Sequence, residues 1–260
     1  MNTVISKDGT KIAYNQNGSG PVIILVDGAF CSKDFGPMTG IVPLLSKNFT
    51  VISYDRRARG ESGDTKPYAV EREIEDINAL INVSGGSASL FGISSGAILC
   101  IKAVAYGLNI HKLAILEPPF VGNKDNKRPA DAVQQLNQMI AVGEQGSAVK
   151  FYLRKVIGLP AIIVFILRLT PNWPKMKAIA NSLPYDAAVC GDFNMPKEQV
   201  SCITIPTIAI DSKQSPTFLR DAVQGVASAL TNGKRVSLKG KPHDVPPKIL
   251  VPALTDFYNS

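Results

Sequence analysis

The sequence predicts an α/β protein: a mostly parallel central sheet flanked by helices on both faces, with a helical segment inserted between two strands. Three observations lead there. Short, continuous apolar runs recur along the chain, separated by stretches with helical apolar spacing. Runs that are apolar on both faces belong to a buried parallel sheet. From residue 121 to about 200 that rhythm stops, and helical patterns with several prolines replace it.

The elements follow in order. Residues 1–20 read as a hairpin with Asp8-Gly9 in its turn. Residues 22–26 form a buried strand ending at Asp27-Gly28, and residues 49–54 a second ending at Asp55. Residues 70–82 predict a helix with Ile74, Ile77, Leu80 and Ile81 inward and Glu71, Arg72, Glu75 and Asp76 outward. Residues 87–91 are the third strand, followed by helical spacing over 97–105. Residues 112–116 are the fourth, ending at Glu117-Pro118-Pro119, and residues 207–210 the fifth, ending at Asp211. Residues 235–238 are the sixth, ending near Gly240. Residues 1–120 and 201–260 therefore form the core, and 121–200 a helical cap. In such sheets ligands sit at the carboxyl ends of the strands, where these acidic residues fall.

Bulk properties exclude several classes. The 28 basic and 21 acidic residues give a net charge of +7, but the basic residues are scattered. A nucleic-acid partner is not expected. Cys31, Cys100, Cys190 and Cys202 form no C-x-x-C pair, and the chain has only two histidines. Neither a metal site nor a disulfide framework is expected. The start has no basic stretch followed by an apolar one, which predicts a cytoplasmic protein. The apolar run 156–167, broken by Pro160, falls short of the ~20 residues a span needs. It predicts contact with a membrane surface or a pocket lining, without stable insertion.

The chemistry centres on Gly92-Ile93-Ser94-Ser95-Gly96, a G-x-S-x-G pattern between a strand and a helix. This context is a nucleophile elbow, a strained turn that exposes the serine and needs tiny flanking residues. The serine needs a base. His111 precedes its strand and belongs at the far edge, whereas His243 follows the last strand and belongs near Ser94. The imidazole needs a carboxylate behind it, and Glu117 and Asp211 both qualify by chain order and strand-end position. An oxyanion hole needs two backbone N–H groups, assigned to Ser95 and to Ala29 in the loop after the first buried strand.

With these residues placed, the chain resembles the α/β-hydrolase family over nearly its whole length. The resemblance rests on Asp27-Gly28-Ala29, on Tyr54-Asp55-Arg56-Arg57-Ala58-Arg59-Gly60-Glu61-Ser62, on the elbow and on Pro242-His243-Asp244. It implies a triad carried by Ser94 and His243. Three positions depart from the usual pattern. Asp27 stands where His is common, Ile93 where His or Gln is common, and Ser215 where many relatives carry the acid. Some relatives, including certain haloalkane dehalogenases, place a Glu at the end of the preceding strand. The resemblance therefore favours Glu117 as the acid, with Asp211 second. A serine nucleophile excludes the alkyl-ester chemistry of dehalogenases and epoxide hydrolases, which use aspartate, and favours acyl transfer.

The expected function is a serine hydrolase acting on a small, largely apolar ester or related acyl compound through an acyl-enzyme. The substrate is a small molecule and no cofactor is expected. Phe30, Ile93, Phe151, Phe165 and Trp173, with Tyr152 and Ile162, are the expected pocket residues. A carbon–carbon bond hydrolase or a perhydrolase would use the same triad. The departures also motivate a non-catalytic protein that holds a small ligand under the cap.

Overall fold

The computed structural model describes residues 1–121 and 128–260. Residues 122–127 of the expected insertion lie outside the described residues. The strands are β1 (Asn2–Ile5), β2 (Lys11–Asn17), β3 (Val22–Val26), β4 (Thr50–Tyr54), β5 (Ala88–Ile93), β6 (Ile110–Leu116), β7 (Thr207–Ser212) and β8 (Gly233–Leu238). They form one sheet in the order β1-β2-β4-β3-β5-β6-β7-β8. β2 runs antiparallel to β1 and β4, and the other neighbours pair in parallel. The mostly parallel sheet read from the sequence is thus present.

The helices are α1 (Val42–Leu45), α2 (Val70–Val83), α3 (Ser95–Ala105), α4 (Ala132–Ala141), α5 (Gln145–Phe151), α6 (Ala161–Arg168), α7 (Asn172–Ala178), α8 (Leu183–Cys190), α9 (Lys197–Ser201), α10 (Thr217–Ala229) and α11 (Pro247–Asn259). A π-helical turn, Tyr152–Ile157, continues α5. Alternation along the strands divides the core into two layers. Ile24 and Val26 of β3 pack with α2, α3 and α10, whereas Ile23 and Leu25 face α1 and α11. α4 to α9 all lie between β6 and β7.

Two expectations are corrected here. Asp76 of α2 does not face solvent but is buried. The Arg57 guanidinium binds both of its oxygens, at 2.8 and 2.7 Å, and that pairing offsets part of the loss of hydration, burial still raising the carboxyl to about 6. β7 also runs two residues further than expected, so Asp211 lies within the strand opposite Ser237 of β8.

The register positions the chemistry. Ile93 pairs with Leu116, and Leu116 with Ile210, so β5, β6 and β7 end at one edge. The Ser94 N–H donates to the Leu116 carbonyl and the Glu117 N–H to the Ile210 carbonyl, both at 3.0 Å. Ser94 and Glu117 are therefore the first residues beyond two adjacent strands.

Candidate active site

Ser94 has φ 55° and ψ −124°, outside the regions a serine ordinarily adopts. Its neighbours permit that turn. A Cβ on Gly96 would lie 2.1 Å from the Val26 carbonyl oxygen, and one on Gly92 would lie 2.6 Å from the Gly96 carbonyl oxygen. Strain of this kind costs on the order of 1–3 kcal/mol and is held by its surroundings. It projects the side chain into a cavity of about 710 Å³ that Ser94, Ser95, Gly28, Ala29 and His243 help to line.

His243 sits in a tight turn between β8 and α11. Lys241 and Asp244 exchange backbone hydrogen bonds of 3.1 and 3.0 Å across it, and His243 has φ 55°. Glu117 holds this turn from below. Its Oε2 accepts from the His243 backbone N–H at 2.6 Å and lies 3.0 Å from the ring Nδ1. The Nδ1 contact lies within ion-pair distance without meeting hydrogen-bond angles. Its Oε1 accepts from the Ser212 N–H at 2.8 Å and from the Ser215 hydroxyl. Glu117 is fully buried. Burial pushes its carboxyl up, but the His243 contact, the Ser215 hydroxyl and the Ser212 N–H outweigh it and hold the carboxyl below its ordinary value. An ionised carboxylate behind the imidazole fixes its tautomer and stabilises the cation formed on proton transfer.

The structure thus brings Glu117, and not Asp211, to the imidazole. The Asp211 carboxylate accepts from Arg235 Nε at 2.6 Å and from the Ser237 hydroxyl at 2.8 Å. Ser215, at the position where relatives commonly carry the acid, instead donates to Glu117. His111 is exposed near the start of β6, away from this edge.

Across the cavity from this pair runs the loop after β3. Gly28 approaches the elbow so closely that a Cβ there would lie 3.0 Å from Ser94 Cβ. Ser95 is the first residue of α3, so its N–H has no acceptor within the helix. Ala29 and Ser95 both line the cavity beside Ser94, where an oxyanion site would draw on their backbone N–H groups.

A buried cluster under this loop was not foreseen. Arg59 Nη1 donates to the Gly28 carbonyl at 2.6 Å and to the Cys31 carbonyl at 3.1 Å, and Nη2 to Asp186 at 2.7 Å. Arg56 bonds both oxygens of Glu73, Asp186 at 2.8 Å and the Asp27 carbonyl at 3.2 Å. The Ser95 hydroxyl donates to Asp186 at 2.8 Å. Burial pushes the Asp186 carboxyl up, but Arg59 and Arg56 outweigh it and hold it below the ordinary range. In a trans peptide the carbonyl and the next N–H point opposite ways. Holding the Gly28 carbonyl toward Arg59 therefore turns the Ala29 N–H away from it. Burial raises the Asp27 carboxyl to about 7 against the pull of Arg59 and Arg56.

The expected pocket is corrected in four places. Phe30 and Ile93 line the cavity, but Phe151, Ile162, Phe165 and Trp173 do not. Helical geometry turns Phe151 about 100° from its neighbour Tyr152, which does line it. Tyr152 packs edge-to-face on Phe30 with ring centroids 5.4 Å apart. Gly158, in left-handed conformation, and Pro160 break the long apolar run. Its first part, Val156 to Leu159, lines the cavity, while Phe165 on α6 is 56% exposed. Trp173 borders a separate cavity with Lys150, Arg168 and Lys177. Phe193, Phe218 and Leu219 complete the apolar wall. Cys31 and Cys190 also reach it, but burial raises both thiols, so neither supplies a thiolate.

A crystal structure of an alpha/beta hydrolase from Sphaerobacter thermophilus superposes with a TM-score of 0.93 at 42% identity, covering 99% of this chain and 100% of that one. The chain belongs to the α/β-hydrolase family. A hydrolase from Pseudomonas aeruginosa shares the α/β-hydrolase fold at TM-score 0.78 and 18% identity, covering 100% of this chain and 98% of that one. The uncharacterized hydrolase YraK of Bacillus subtilis is 33% identical over 109 residues, 39% of this chain. That match spans 40% of the length of this curated relative. No protein-family model matches the chain.

Proposed function

We propose that this α/β hydrolase cleaves a small, largely apolar ester or related acyl compound through an acyl-enzyme on Ser94. The observation that carries this reading is the Glu117 carboxylate, 3.0 Å from His243 Nδ1, behind a ring that shares one cavity with the strained Ser94. Ser94 attacks the acyl carbonyl while His243 takes its proton. The Ala29 and Ser95 N–H groups receive the oxyanion, where one such donor is worth ~10²–10³ in rate. His243 then returns the proton to the leaving alkoxide, and water repeats the sequence to release the acid. The apolar wall from Tyr152, Leu159, Phe193 and Phe218 supports an uncharged acyl or alkyl group. The segment between β6 and β7 acts as the cap that supplies Tyr152, Leu159 and Phe193, and α10 adds Phe218.

The test is a panel of nitrophenyl esters of graded acyl length. Turnover that rises from acetate to medium chains and vanishes in Ser94→Ala supports the reading. Folded protein that turns over no ester, or a Ser94→Ala variant that retains activity, overturns it.

A further inference from the structure

The helices between β6 and β7 carry a surface the catalytic cavity does not use. Of the thirteen large apolar residues that are exposed among the described residues, five fall between Ile162 and Leu169. On α6, Ile162 is 64% exposed, Phe165 56% and Ile166 55%, and Leu169 just beyond is 74% exposed. Spaced by three, one and three, these side chains share one stripe. The buried Val164 lies on the opposite side and anchors the helix to the protein.

Charge marks what would cover this stripe. From residue 145 to 185 the chain carries Lys150, Arg154, Lys155, Arg168, Lys175 and Lys177 and no carboxylate. All six are exposed. Lys150, Arg168 and Lys177 meet around one open cavity of about 870 Å³ beside Trp173. An apolar stripe whose own chain segment, 145–185, carries six exposed cations and no carboxylate disfavours a second copy of the same face, since like charges would meet across a twofold axis. It matches an anionic lipid surface, which accepts apolar side chains into its interface and pairs its headgroups with Lys and Arg. The position is also productive. Ile157, Gly158 and Leu159 line the catalytic cavity and lead directly into α6.

We propose that α6 and its basic surround dock this protein peripherally on anionic membranes, and so bring the cavity mouth to an acyl substrate dissolved in lipid. Docking does not require turnover, so its failure and a failure of the catalytic reading are distinguishable.

The test is co-sedimentation with vesicles of phosphatidylcholine alone or with about one-third phosphatidylserine, at about 50 mM salt. At least about ten-fold more protein is expected on the anionic vesicles, with most of the difference lost near 0.5 M salt. Binding is expected to blue-shift the emission of Trp173, the chain's single tryptophan. The triple variant Ile162→Ser, Phe165→Ser, Ile166→Ser changes exposed side chains only and is expected to abolish binding, as is Arg154→Glu with Lys155→Glu. Ser94→Ala is expected to bind as the parent does. No preference for anionic vesicles, or a triple variant that binds unchanged, overturns the proposal. So does a parent protein that is dimeric by light scattering and that the triple variant makes monomeric without vesicle binding.

Discussion

Arg59 holds the carbonyl of Gly28 at 2.6 Å while its other arm grips Asp186 of α8 at 2.7 Å. One guanidinium therefore ties the loop after β3 to a helix far along the chain. The same Asp186 receives the hydroxyl of Ser95. Both residues assigned as oxyanion donors thus rest, one or two bonds removed, on a single buried ion cluster. Arg59 acts as a positioning residue.

Replacing Arg59 by Lys removes the planar fork that reaches both partners. The Ala29 N–H then loses its fixed direction. We expect kcat to fall about ten- to a hundred-fold with KM changed less than about three-fold, the pattern of lost transition-state binding. Steady-state kinetics on a soluble ester, with circular dichroism to confirm the fold, give the answer. A variant that alters KM alone would assign Arg59 a structural role.

The two carboxylates separate cleanly. Glu117→Gln keeps the shape but removes the charge facing the imidazole, and kcat should drop by about 10³–10⁴. Asp211→Asn removes the charge paired with Arg235, while its amide oxygen still accepts from Ser237. It should lower thermal stability and leave kcat within a few-fold. The reverse ranking in a side-by-side assay would move the acid to Asp211.

Much of this site was legible in the sequence because it is local or sits at strand ends. The glycines around Ser94, the strand before it and the helix after it lie within a few residues of one another. Glu117 and His243 each follow a strand, so the parallel topology alone carries them to one edge. The Arg56, Arg59 and Asp186 cluster was not legible. Asp186 stands 127 residues from Arg59, and a charged residue read singly is assigned to solvent. Asp76 was misplaced for the same reason. Phe165 and Trp173 failed differently. An apolar run does not say which way it turns after Gly158 and Pro160.

That correction has a kinetic consequence. Phe165→Ala and Trp173→Ala should leave kcat/KM for a medium-chain ester within about two-fold, because neither side chain lines the cavity. Leu159→Trp and Phe218→Trp narrow it. They should shift the preferred acyl chain shorter, at ~1–3 kcal/mol per excluded methylene. An acyl-length series on the four variants decides it. Unchanged profiles in the two tryptophan variants would place the acyl group elsewhere.

Asp27 makes stability depend on pH. Its folded value of about 7 lies above the unperturbed carboxylate value near 4. The folded protein keeps a proton that the unfolded chain releases. This contribution is complete below about pH 4 and is lost as pH rises toward 7, at a slope near 1.4 kcal/mol per pH unit. Asp27→Asn has no such proton. Its unfolding free energy relative to the parent should rise steadily between pH 4 and 7 and level off above, as urea melts at several pH values would show. A constant difference across that range would mean Asp27 is ionised in the fold.

An activated Ser94 reacts covalently with a fluorophosphonate, and intact-mass and peptide mass spectrometry read out that adduct. A single adduct on the peptide containing Ser94, absent from Ser94→Ala and formed far more slowly in Glu117→Gln, is the predicted result. Folded protein that acquires no adduct, or that carries one on another residue when Ser94 is removed, would contradict it.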